Sequence, residues 1–536
     1  MKRRAAIYVR GAWAELHNAP EGALEACLSF AHPYPWKVRA FKEGRWDGKI
    51  RLFERATNKF PAGLTEHVVA HLNELDRDVF VTGLESKKPL DLSRFTRDYL
   101  PPVGKFREFR DYQFDAVIAM LRNRRGIIKS PTGSGKTEMI FGAAAYLWEE
   151  CNWTSLILTP TKGIMHQTYE RACAYYDDWI SVGMAGDGER IEGKVIVATG
   201  QTMQQWKPKR GKRGLRPADA WLRELVKETD ILFLDECHKA SSETWYDIAI
   251  NAGAKRRYGF SGTPLKDNEI ADMKLIGATG PVLFEVAANV LIDEGFAAKP
   301  KIVMVMSDNV SGPDLEQLVS DEIERIDQQR RTEIANKVEK KKRTPAANVY
   351  QIAYNLGVKF NDQHNRAVAR GAQWMVEHGR KTLLLCRYKE HFDQLAALLD
   401  EQGTDFLGVW GQTSNDDRAH AKAAIGDGRT QLVLATGIWD EGEDIPGVNG
   451  IVLAEGVATS TNSRQRVGRG MRGDTEDVWV LDFVPTCHKM LLEHAAKRAD
   501  AWEGEGYDVL LWRKWPDGDG ELDLPFERWD EEFARD

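Results

Sequence analysis

Short apolar runs of four or five residues recur along the chain, and several are followed by a longer stretch that suits a helix. Residues 126–129 form one such run, which is typical of a buried parallel strand. Residues 136–148 follow it with good helix formers and no proline. The same alternation returns later, where a run at 382–386 precedes a helical stretch at 390–400. The pattern predicts an α/β protein with two tandem parallel-sheet lobes.

Residues 130–137, between the first run and its helix, read Ser-Pro-Thr-Gly-Ser-Gly-Lys-Thr. Gly133 and Gly135 allow backbone N–H groups to converge on an anion, and the N-terminus of the following helix adds its dipole. In such a loop Lys136 reaches the β- and γ-phosphates of ATP, and the Thr137 hydroxyl binds Mg²⁺. The predicted ATP-binding loop contains Pro131, Thr132, Gly133, Ser134, Gly135, Lys136 and Thr137.

A further apolar run, residues 230–234, ends in Asp235-Glu236-Cys237-His238. Open parallel sheets place their ligands at the carboxyl ends of their strands. Asp235 there can hold Mg²⁺, directly or through water, and Glu236 can orient the attacking water and accept its proton. His238 fits a relay between the nucleotide site and nucleic acid better than it fits a metal ligand. The acid pair and the loop together predict a site for nucleotide hydrolysis.

These motifs and several others follow one another in the order found in superfamily 2 helicases of the DExH type. The chain resembles that family from about residue 105 to about residue 483. The resemblance implies two RecA-like lobes, preceded by a small α+β domain, and movement along nucleic acid driven by ATP. The further motifs are Arg110-Asp111-Tyr112-Gln113, Thr159-Pro160-Thr161, Thr199-Gly200-Gln201-Thr202, Ser261-Gly262-Thr263-Pro264, Thr436 with Gly442-Glu443-Asp444, and Gln465-Arg466-Val467-Gly468-Arg469-Gly470-Met471-Arg472.

The resemblance assigns several of these residues to ATP. Gln113, with Arg110 nearby, matches the segment that reads adenine, because a glutamine amide both donates and accepts. Gly442 and Asp444 match the motif that bridges ATP and nucleic acid. Two arginines of the 465–472 segment match positions that contact the γ-phosphate as arginine fingers from the second lobe. The residues implied in catalysis are Lys136, Asp235, Glu236, Gln465, Arg469 and Arg472.

Other motif residues match family positions that hold nucleic acid or couple it to hydrolysis. Hydroxyl and backbone N–H groups at 159–161 and 199–202 resemble the segments of the first lobe that hold the phosphates of a strand. The implied contacts are Thr159, Pro160, Thr161, Thr199, Gln201 and Thr436. Ser261 and Thr263 match the motif that couples hydrolysis to movement, and His238 completes that coupling set.

The N-terminal stretch interleaves aromatic and basic residues between 34 and 53. Asp47-Gly48 is a dipeptide favoured in hairpin turns, so we expect Trp46 and Lys49 to lie close together at a hairpin tip. The arrangement at 46–49, followed by Phe-Pro-x-Gly-Leu at 60–64, resembles the N-terminal module of UvsW-type phage helicases, which act on branched DNA. We predict DNA contacts by Trp46, Lys49 and Arg51, with the competing interpretation that half of these aromatic residues are core.

The chain of 536 residues carries a net charge of −7, which argues against nonspecific coating of nucleic acid by its whole surface. A basic loop at 207–216 is the local exception, and it suits phosphate contact and plain solvation equally well. Six widely spaced cysteines and the lack of a long apolar run predict a protein of a reducing cytosol, without a membrane. The resemblance to phage helicases implies the bacterial or phage-infected cytoplasm. We expect a monomer.

The predicted organisation has five parts. Residues 1–95 form a DNA-binding module, 96–295 the first lobe with the ATP site, and 296–370 a helical linker. Residues 371–490 form the second lobe, and 491–536 a C-terminal extension.

The sequence favours an ATP-dependent DNA helicase or translocase that acts on branched, forked or single-stranded DNA, with ATP and Mg²⁺ bound. The resemblance also implies replication or recombination proteins as partners. Three alternatives stay open. The track could be RNA, because hydroxyl and backbone contacts distinguish the two sugars poorly. The protein could move along a duplex without separating it. It could also be a nucleotide-gated clamp that binds nucleic acid without turnover.

Overall fold

The computed structural model describes residues 4–83, 90–211, 214–265, 268–296, 298–306, 315–335, 348–436, 447–456, 477–485, 487–512 and 527–528. The chain divides into two compact units, Met1–Val286 and Ala287–Asp536. Each unit is built around one large, mainly parallel sheet, which confirms the predicted α/β class.

The first unit begins with a small α+β layer. Four strands form a sheet in the order β5-β2-β1-β6, in which β1 pairs antiparallel with β2 and parallel with β6. A separate two-stranded ribbon joins β3 to β4. The strands are β1 (Arg4–Arg10), β2 (Trp13–His17), β3 (Ser29–Ala31), β4 (Lys49–Arg51), β5 (Lys59–Pro61) and β6 (Asp78–Thr82). The helices are α1 (Ala23–Leu28), α2 (Arg39–Lys42) and α3 (Thr65–Glu74).

An eight-stranded sheet follows, in the order β10-β9-β11-β8-β14-β15-β7-β16, and its strands are parallel except at the β9–β10 pair. Two of its inner strands, β8 and β11, are buried at every residue, as expected for a sheet covered on both faces. The strands are β7 (Arg125–Lys129), β8 (Ser155–Thr159), β9 (Val182–Gly186), β10 (Glu189–Ile191), β11 (Val195–Thr199), β14 (Ile231–Asp235), β15 (Arg256–Ser261) and β16 (Val282–Glu285), with a small hairpin of β12 (Lys209–Gly211) and β13 (Gly214–Arg216). The helices are α4 (Asp111–Arg122), α5 (Lys136–Cys151), α6 (Lys162–Tyr176), α7 (Gly200–Met203), α8 (Ala220–Glu228), α9 (Glu243–Asn251) and α10 (Glu269–Thr279).

The small layer packs on α10 with backbone against backbone. A Cβ atom added at Gly63 would lie 1.8 Å from the carbonyl oxygen of Ile276, and one added at Gly277 would lie 3.0 Å from Cβ of Pro61. A further link comes from Arg125, whose Nη2 donates to the Gly11 carbonyl at 2.7 Å. Gly63 therefore permits an approach that any other residue would obstruct, and Gly277 allows the tight contact with Pro61.

Two neighbouring arginines at the start of β15 are buried and bind the ends of helices. Arg256 donates from Nη1 to the Leu121 carbonyl at 3.0 Å, at the end of α4. Arg257 donates from Nη2 to the Ala252 carbonyl at 2.7 Å, just after α9. A cation at a helix C-terminus is favourable because it faces the negative end of the helix dipole. The contact between Arg256 and the end of α4 holds that helix against the sheet, and α4 carries Gln113 in its first turn.

The second unit contains an eight-stranded sheet in the order β19-β20-β18-β21-β22-β17-β23-β24, parallel except at β23–β24. The strands are β17 (Lys299–Met306), β18 (Thr382–Cys386), β19 (Leu407–Val409), β20 (Leu432–Thr436), β21 (Gly450–Leu453), β22 (Asp477–Val484), β23 (Asp508–Trp512) and β24 (Glu527–Arg528). The helices are α11 (Ala288–Asp293), α12 (Leu315–Ala335), α13 (Val349–Tyr354), α14 (Asp362–Glu377), α15 (Lys389–Glu401), α16 (Asn415–Gly426) and α17 (Lys489–Glu503), with a π-helical turn at Asn355–Lys359.

Three strands of this sheet, β17, β23 and the short β24, lie outside the stretch predicted for the second lobe. Strand β17, within the predicted linker, pairs in parallel with β22 over its whole length. Strand β23, within the predicted C-terminal extension, pairs with the other side of β17. Parts of both stretches thus belong to the second sheet, in contrast to the predicted roles as linker and appendage.

Two histidines, His364 and His391, are fully buried in the second unit. Burial lowers the pKa of His364 to about 4, and burial together with the nearby His364 lowers the pKa of His391 to about 3. Unfolded histidine has a pKa of about 6.5. Below about pH 6.5 these histidines bind protons in the unfolded chain but stay neutral in the folded unit. The free energy of unfolding is therefore at its full value above about pH 6.5 and decreases as the pH falls towards about 4.

We expect the thermal unfolding midpoint of the protein to fall on acidification over this range. A His364→Gln variant, which lacks one of the two titrating groups, should show a shallower dependence on pH. Circular dichroism melts between about pH 7.5 and about pH 4.5 measure the slope for both proteins. Equal slopes would show that His364 does not contribute.

Within the described residues, no helix combines the length and the apolar character needed to cross a bilayer. All six cysteines are free thiols.

Candidate nucleotide site

The predicted phosphate loop connects β7 to α5, as the sequence indicated. Gly133 and Gly135 have φ angles of +84° and +80°, a left-handed conformation that glycine adopts without strain. A Cβ atom at Gly135 would lie 2.1 Å from Nε2 of Gln113, so a larger residue would not fit there. Helix α5 begins at Lys136, which places its N-terminus at the end of the loop.

Helix α4 holds this loop from one side. The Tyr112 hydroxyl donates to the Ser134 carbonyl at 3.0 Å, and Nε2 of Gln113 donates to the same oxygen at 2.8 Å. Oε1 of Gln113 accepts from the Arg110 backbone N–H at 3.0 Å. Gln113 is buried, and both ends of its amide bind the chain itself. The amide therefore fixes the loop, and its contact with adenine stays a prediction.

The loop is also bound internally and to its neighbouring strand. Oγ of Ser134 donates to Oγ of Ser130 at 3.0 Å, and both residues are fully buried. The Ser130 backbone N–H donates to the Ser261 carbonyl at 3.1 Å. The site prediction did not include Ser130 or Tyr112, although both lie in the motifs that it used. Their contacts arise from tertiary packing, so the spacing of the motifs gave no signal for them.

Lys136 lies beside the acid pair, which β14 brings next to the loop. Its Nζ is 3.4 Å from Oε1 of Glu236. Burial lowers the pKa of Lys136, but Glu236 and Asp235 outweigh burial and hold this pKa above its usual value. Burial and the neighbouring Glu236 carboxylate raise the pKa of Asp235 to about 6, whereas Lys136 and His238 overcome burial and lower the pKa of Glu236 to about 2. Glu236 is thus an ionised base at neutral pH.

Glu236 is also the centre of a hydrogen-bonded group that contains two predicted coupling residues. Its Oε2 lies 3.3 Å from Nδ1 of His238 and accepts from Oγ of Ser261 at 3.3 Å. Nδ1 of His238 and Oγ of Ser261 are 3.2 Å apart. Glu236 has a φ of +51°, which is rare for a residue with a side chain and often occurs at functional sites.

Thr263, the third predicted coupling residue, lies at the rim of this group. Its backbone N–H donates to Oγ of Ser261 at 3.2 Å. Its own hydroxyl is buried and has no hydrogen-bond partner in the described part of the chain. Gly262 beside it packs against the phosphate loop, because a Cβ there would lie in ordinary van der Waals contact, 3.4 Å from Cα of Pro131. A movement of the phosphate loop would therefore also shift the segment that carries Thr263.

The residues present fit a magnesium-bound nucleotide. The described residues contain no group of three or more His, Cys, Asp or Glu side chains that could hold a metal alone. Mg²⁺ commonly takes only one or two protein oxygens and completes its shell with phosphate and water oxygens. Thr137 and Asp235 supply such oxygens at the start of α5 and the end of β14. When bound, Mg²⁺ would neutralise charge on the phosphates.

The predicted nucleic-acid contacts of the first lobe lie together at one sheet edge, where Thr159 and Thr199 end two paired strands. The hydroxyls themselves face inward. Thr159 Oγ1 donates to the Ala198 carbonyl at 3.2 Å, and Thr199 Oγ1 accepts from the Thr202 backbone N–H at 3.2 Å, and both threonines are buried. In this structure they hold the strand ends in place.

The other predicted nucleic-acid contacts differ from Thr159 and Thr199 in their burial and hydrogen bonds. Thr161 Oγ1 caps α6 by accepting from the Ile164 N–H at 3.3 Å. Pro160 is half-buried, and Gln201 is exposed at the start of α7. Thr436, at the end of β20 in the second unit, is buried. Gln201 is thus the side chain of this set that is most accessible to a ligand.

The N-terminal contacts also differ from the prediction. Arg51 donates from Nη2 to Oε1 of Glu25 at 2.8 Å and also binds Asp47, so its charge is neutralised within the module. Trp46 donates from Nε1 to the Lys49 carbonyl at 2.8 Å. This contact confirms that residues 46 and 49 lie close together. The turn does not join two strands as a hairpin would, because β4 after it pairs with the distant β3. Lys49 is exposed.

Within the basic stretch 207–216, predicted as a loop, Lys209–Gly211 and Gly214–Arg216 pair as the antiparallel strands β12 and β13. Gly442, Asp444, Gln465, Arg469 and Arg472 lie outside the described residues. Their roles stay predictions.

Comparison with known protein families shows which proteins this chain is similar to. Residues 106–266 match the family model described as type III restriction enzyme, res subunit, and residues 365–474 match the helicase conserved C-terminal domain. The chain is a superfamily 2 helicase. As a member of this group it is an ATP-hydrolysing enzyme.

Related proteins cover most of this helicase. The DNA 3'-5' translocase XPB2 of Sulfurisphaera tokodaii is 26% identical over 426 residues, which span 76% of this chain and 88% of that protein. The ATP-dependent DNA helicase uvsW of Enterobacteria phage T4 is 22% identical over 449 residues, which span 81% and 80%. The structure of S. cerevisiae Dbp5 bound to RNA and ADP BeF3 has a TM-score of 0.50 and 16% identity, and it covers 76% of this chain and 90% of Dbp5. The structural likeness supports the fold of two RecA-like lobes.

Proposed function

We propose that this helicase hydrolyses ATP to move along DNA and that it acts on branched or forked DNA. The observation that carries the proposal is the largely buried group of Lys136, Glu236, His238 and Ser261, which joins the predicted phosphate-binding lysine to the predicted base and coupling residues. The printed names of two relatives, a DNA translocase and a DNA helicase, support DNA as the track.

The residues of the first unit suit the chemistry of hydrolysis. Lys136 and the N–H groups of the loop would bind the terminal phosphates. Glu236, held ionised by Lys136, would accept a proton from the attacking water. The contact of Ser261 with both Glu236 and the loop backbone offers a path by which phosphate release shifts the segment at 261–263.

The remaining ATP and DNA contacts in the proposal come from the family resemblance. Arg469 and Arg472 would approach the γ-phosphate as fingers, with Gln465 beside them, and Gly442 and Asp444 would link ATP to the nucleic acid. Mg²⁺ would be held by Thr137 and Asp235. Proteins of replication or recombination are the proposed partners, and the proposed state is a monomer.

A panel of nucleic acids tests this function. We expect phosphate release to be stimulated most by forked DNA and by a four-way junction, less by single-stranded DNA, and least by blunt duplex and RNA of the same length. Strand separation on the fork, measured with a fluorophore and quencher pair, should depend on ATP. Stronger stimulation by RNA would overturn the DNA assignment. Turnover on the duplex without strand separation on any substrate would indicate a pure translocase, and no turnover at all would indicate a clamp.

A further inference from the structure

The connection between β3 and β4, residues 32–48, projects from the two-stranded ribbon of the N-terminal layer, and we call it the tip segment. Its base is closed by the pairing of Ser29–Ala31 with Lys49–Arg51 and by a bond from the His32 N–H to the Gly48 carbonyl at 2.8 Å. The ion pairs of Arg51 with Glu25 and Asp47 hold the same base. The segment is therefore anchored at both ends.

The tip segment carries aromatic side chains that face solvent. Trp36 is 56% exposed, Tyr34 is 52% exposed and Phe41 is 38% exposed. Large aromatic residues are usually mostly buried in a folded protein. Trp46 of the same segment shows the contrast, because it is half-buried and packs edge to face against His32 and Phe41. Only part of the aromatic content of the segment is thus used for its own packing.

The exposed rings are held in place by local structure. Residues Pro35–Lys37 form a 3₁₀ turn, and the rings of Tyr34 and Trp36 lie 5.8 Å apart, edge to face. Gly48, at a φ of +81°, leaves the space that Phe41 and Pro35 occupy, since a Cβ there would lie 3.1 Å from each. Fixed rings lose little conformational entropy when a ligand covers them.

The charge around these rings is positive, although the whole protein is acidic. Lys37 places Nζ 4.3 Å from the centre of the Tyr34 ring. Lys37, Lys42 and Lys49 are exposed and form no ion pair within the part of the chain that the structure describes. Arg39 and Arg45 share one carboxylate, that of Glu43. A polyanion is the ligand that this charge favours.

We propose that the tip segment binds unpaired bases at a DNA branch, with Tyr34 and Trp36 stacking on bases and Lys37 facing the adjacent phosphate. Rings that project among lysines suit single-stranded nucleic acid, where base faces are open, better than duplex, where neighbouring base pairs cover them. The proposal rests on the proposed function, since it names the part of the branched substrate that this surface recognises.

The test compares two forks that differ only in their unpaired arm. In one fork the unpaired nucleotides next to the junction carry bases, and in the other they are abasic. We expect the wild-type protein to bind the base-bearing fork about tenfold more tightly, as measured by fluorescence anisotropy of labelled DNA. The Tyr34→Ala/Trp36→Ala double variant should bind both forks with nearly equal affinity, and Trp36→Phe should keep most of the preference.

Exposed aromatic residues elsewhere in the same layer supply the matched control. Tyr8 on β1 and Phe80 on β6 are 44% and 46% exposed. A Tyr8→Ala/Phe80→Ala variant should keep the wild-type preference for bases. A tip variant that keeps this preference overturns the proposal, and so does a tip variant that loses affinity for both forks equally. Thermal melts of the variants show whether each one is folded.

The failure of this proposal can be told apart from the failure of the proposed function. The tip variant should still hydrolyse ATP at the wild-type maximal rate when single-stranded DNA is saturating, because saturation offsets a loss of affinity and the phosphate loop is held by Tyr112, Gln113 and Ser261. A wild-type protein that no DNA stimulates would refute the proposed function. Normal DNA stimulation together with an unchanged tip variant would refute only the role of Tyr34 and Trp36.

Discussion

The Glu236→Gln variant is expected to bind ATP and DNA but to hydrolyse ATP at least about a hundredfold more slowly than the wild-type protein. Glutamine has nearly the same shape as glutamate, so the contacts with His238 and Ser261 at 3.3 Å can persist. What the amide lacks is the ability to accept a proton from water. Steady-state phosphate release with forked DNA at saturating ATP measures the effect.

A Glu170→Gln variant serves as the matched control, because Glu170 is an exposed glutamate of α6 in the same lobe. It should turn over at the wild-type rate. A Glu236→Gln protein that also hydrolyses ATP at this rate would remove Glu236 from the role of base. Binding of a fluorescent ATP analogue separates a loss of chemistry from a loss of binding.

The Lys136→Ala variant is expected to lose about a hundredfold or more in ATP turnover, because a preorganised cation at the phosphates is removed. A second effect follows from the structure. Nζ of Lys136 lies 3.4 Å from Oε1 of Glu236 and helps to lower the pKa of that carboxyl group to about 2. Its removal should raise this pKa, because the two partly buried carboxylates of Asp235 and Glu236 would then lie side by side with less positive charge nearby.

Two measurements check this variant. Phosphate release reports turnover, and binding of a fluorescent ATP analogue reports affinity, which should fall as well. Lys227→Ala, an exposed lysine in the last turn of α8, is the control and should behave as wild type. Unchanged turnover in Lys136→Ala would mean that the loop does not hold the phosphates.

The elements around the nucleotide were predictable because their signals are local. The loop at 130–137 combines an apolar run, two glycines and a helix start within a few residues, and the structure has each of them. The acid pair was found in the same way, after a run that forms β14. Motifs of this kind are formed by residues that are adjacent in the chain, so a single sequence is enough to recognise them.

Other features depend on contacts between distant residues, and the sequence did not display them. Strand β17 lies far from β22 and β23 in sequence, so its place in the second sheet could not be read from its own pattern. The DNA contact predicted for Arg51 stays a prediction, whereas its ion pair with Glu25, 26 residues away, could not be read from its aromatic and basic surroundings. Trp36 is exposed and Trp46 is half-buried, and the amino-acid composition of the segment does not indicate this difference.

The close contact between Gly63 of the small N-terminal layer and Gly277 of α10 ties that layer to the lobe that carries the phosphate loop. Chains that touch backbone to backbone cannot slide past each other without breaking that contact. On the proposed function, a junction gripped by the tip segment would therefore stay at a constant offset from the phosphate loop throughout the ATP cycle.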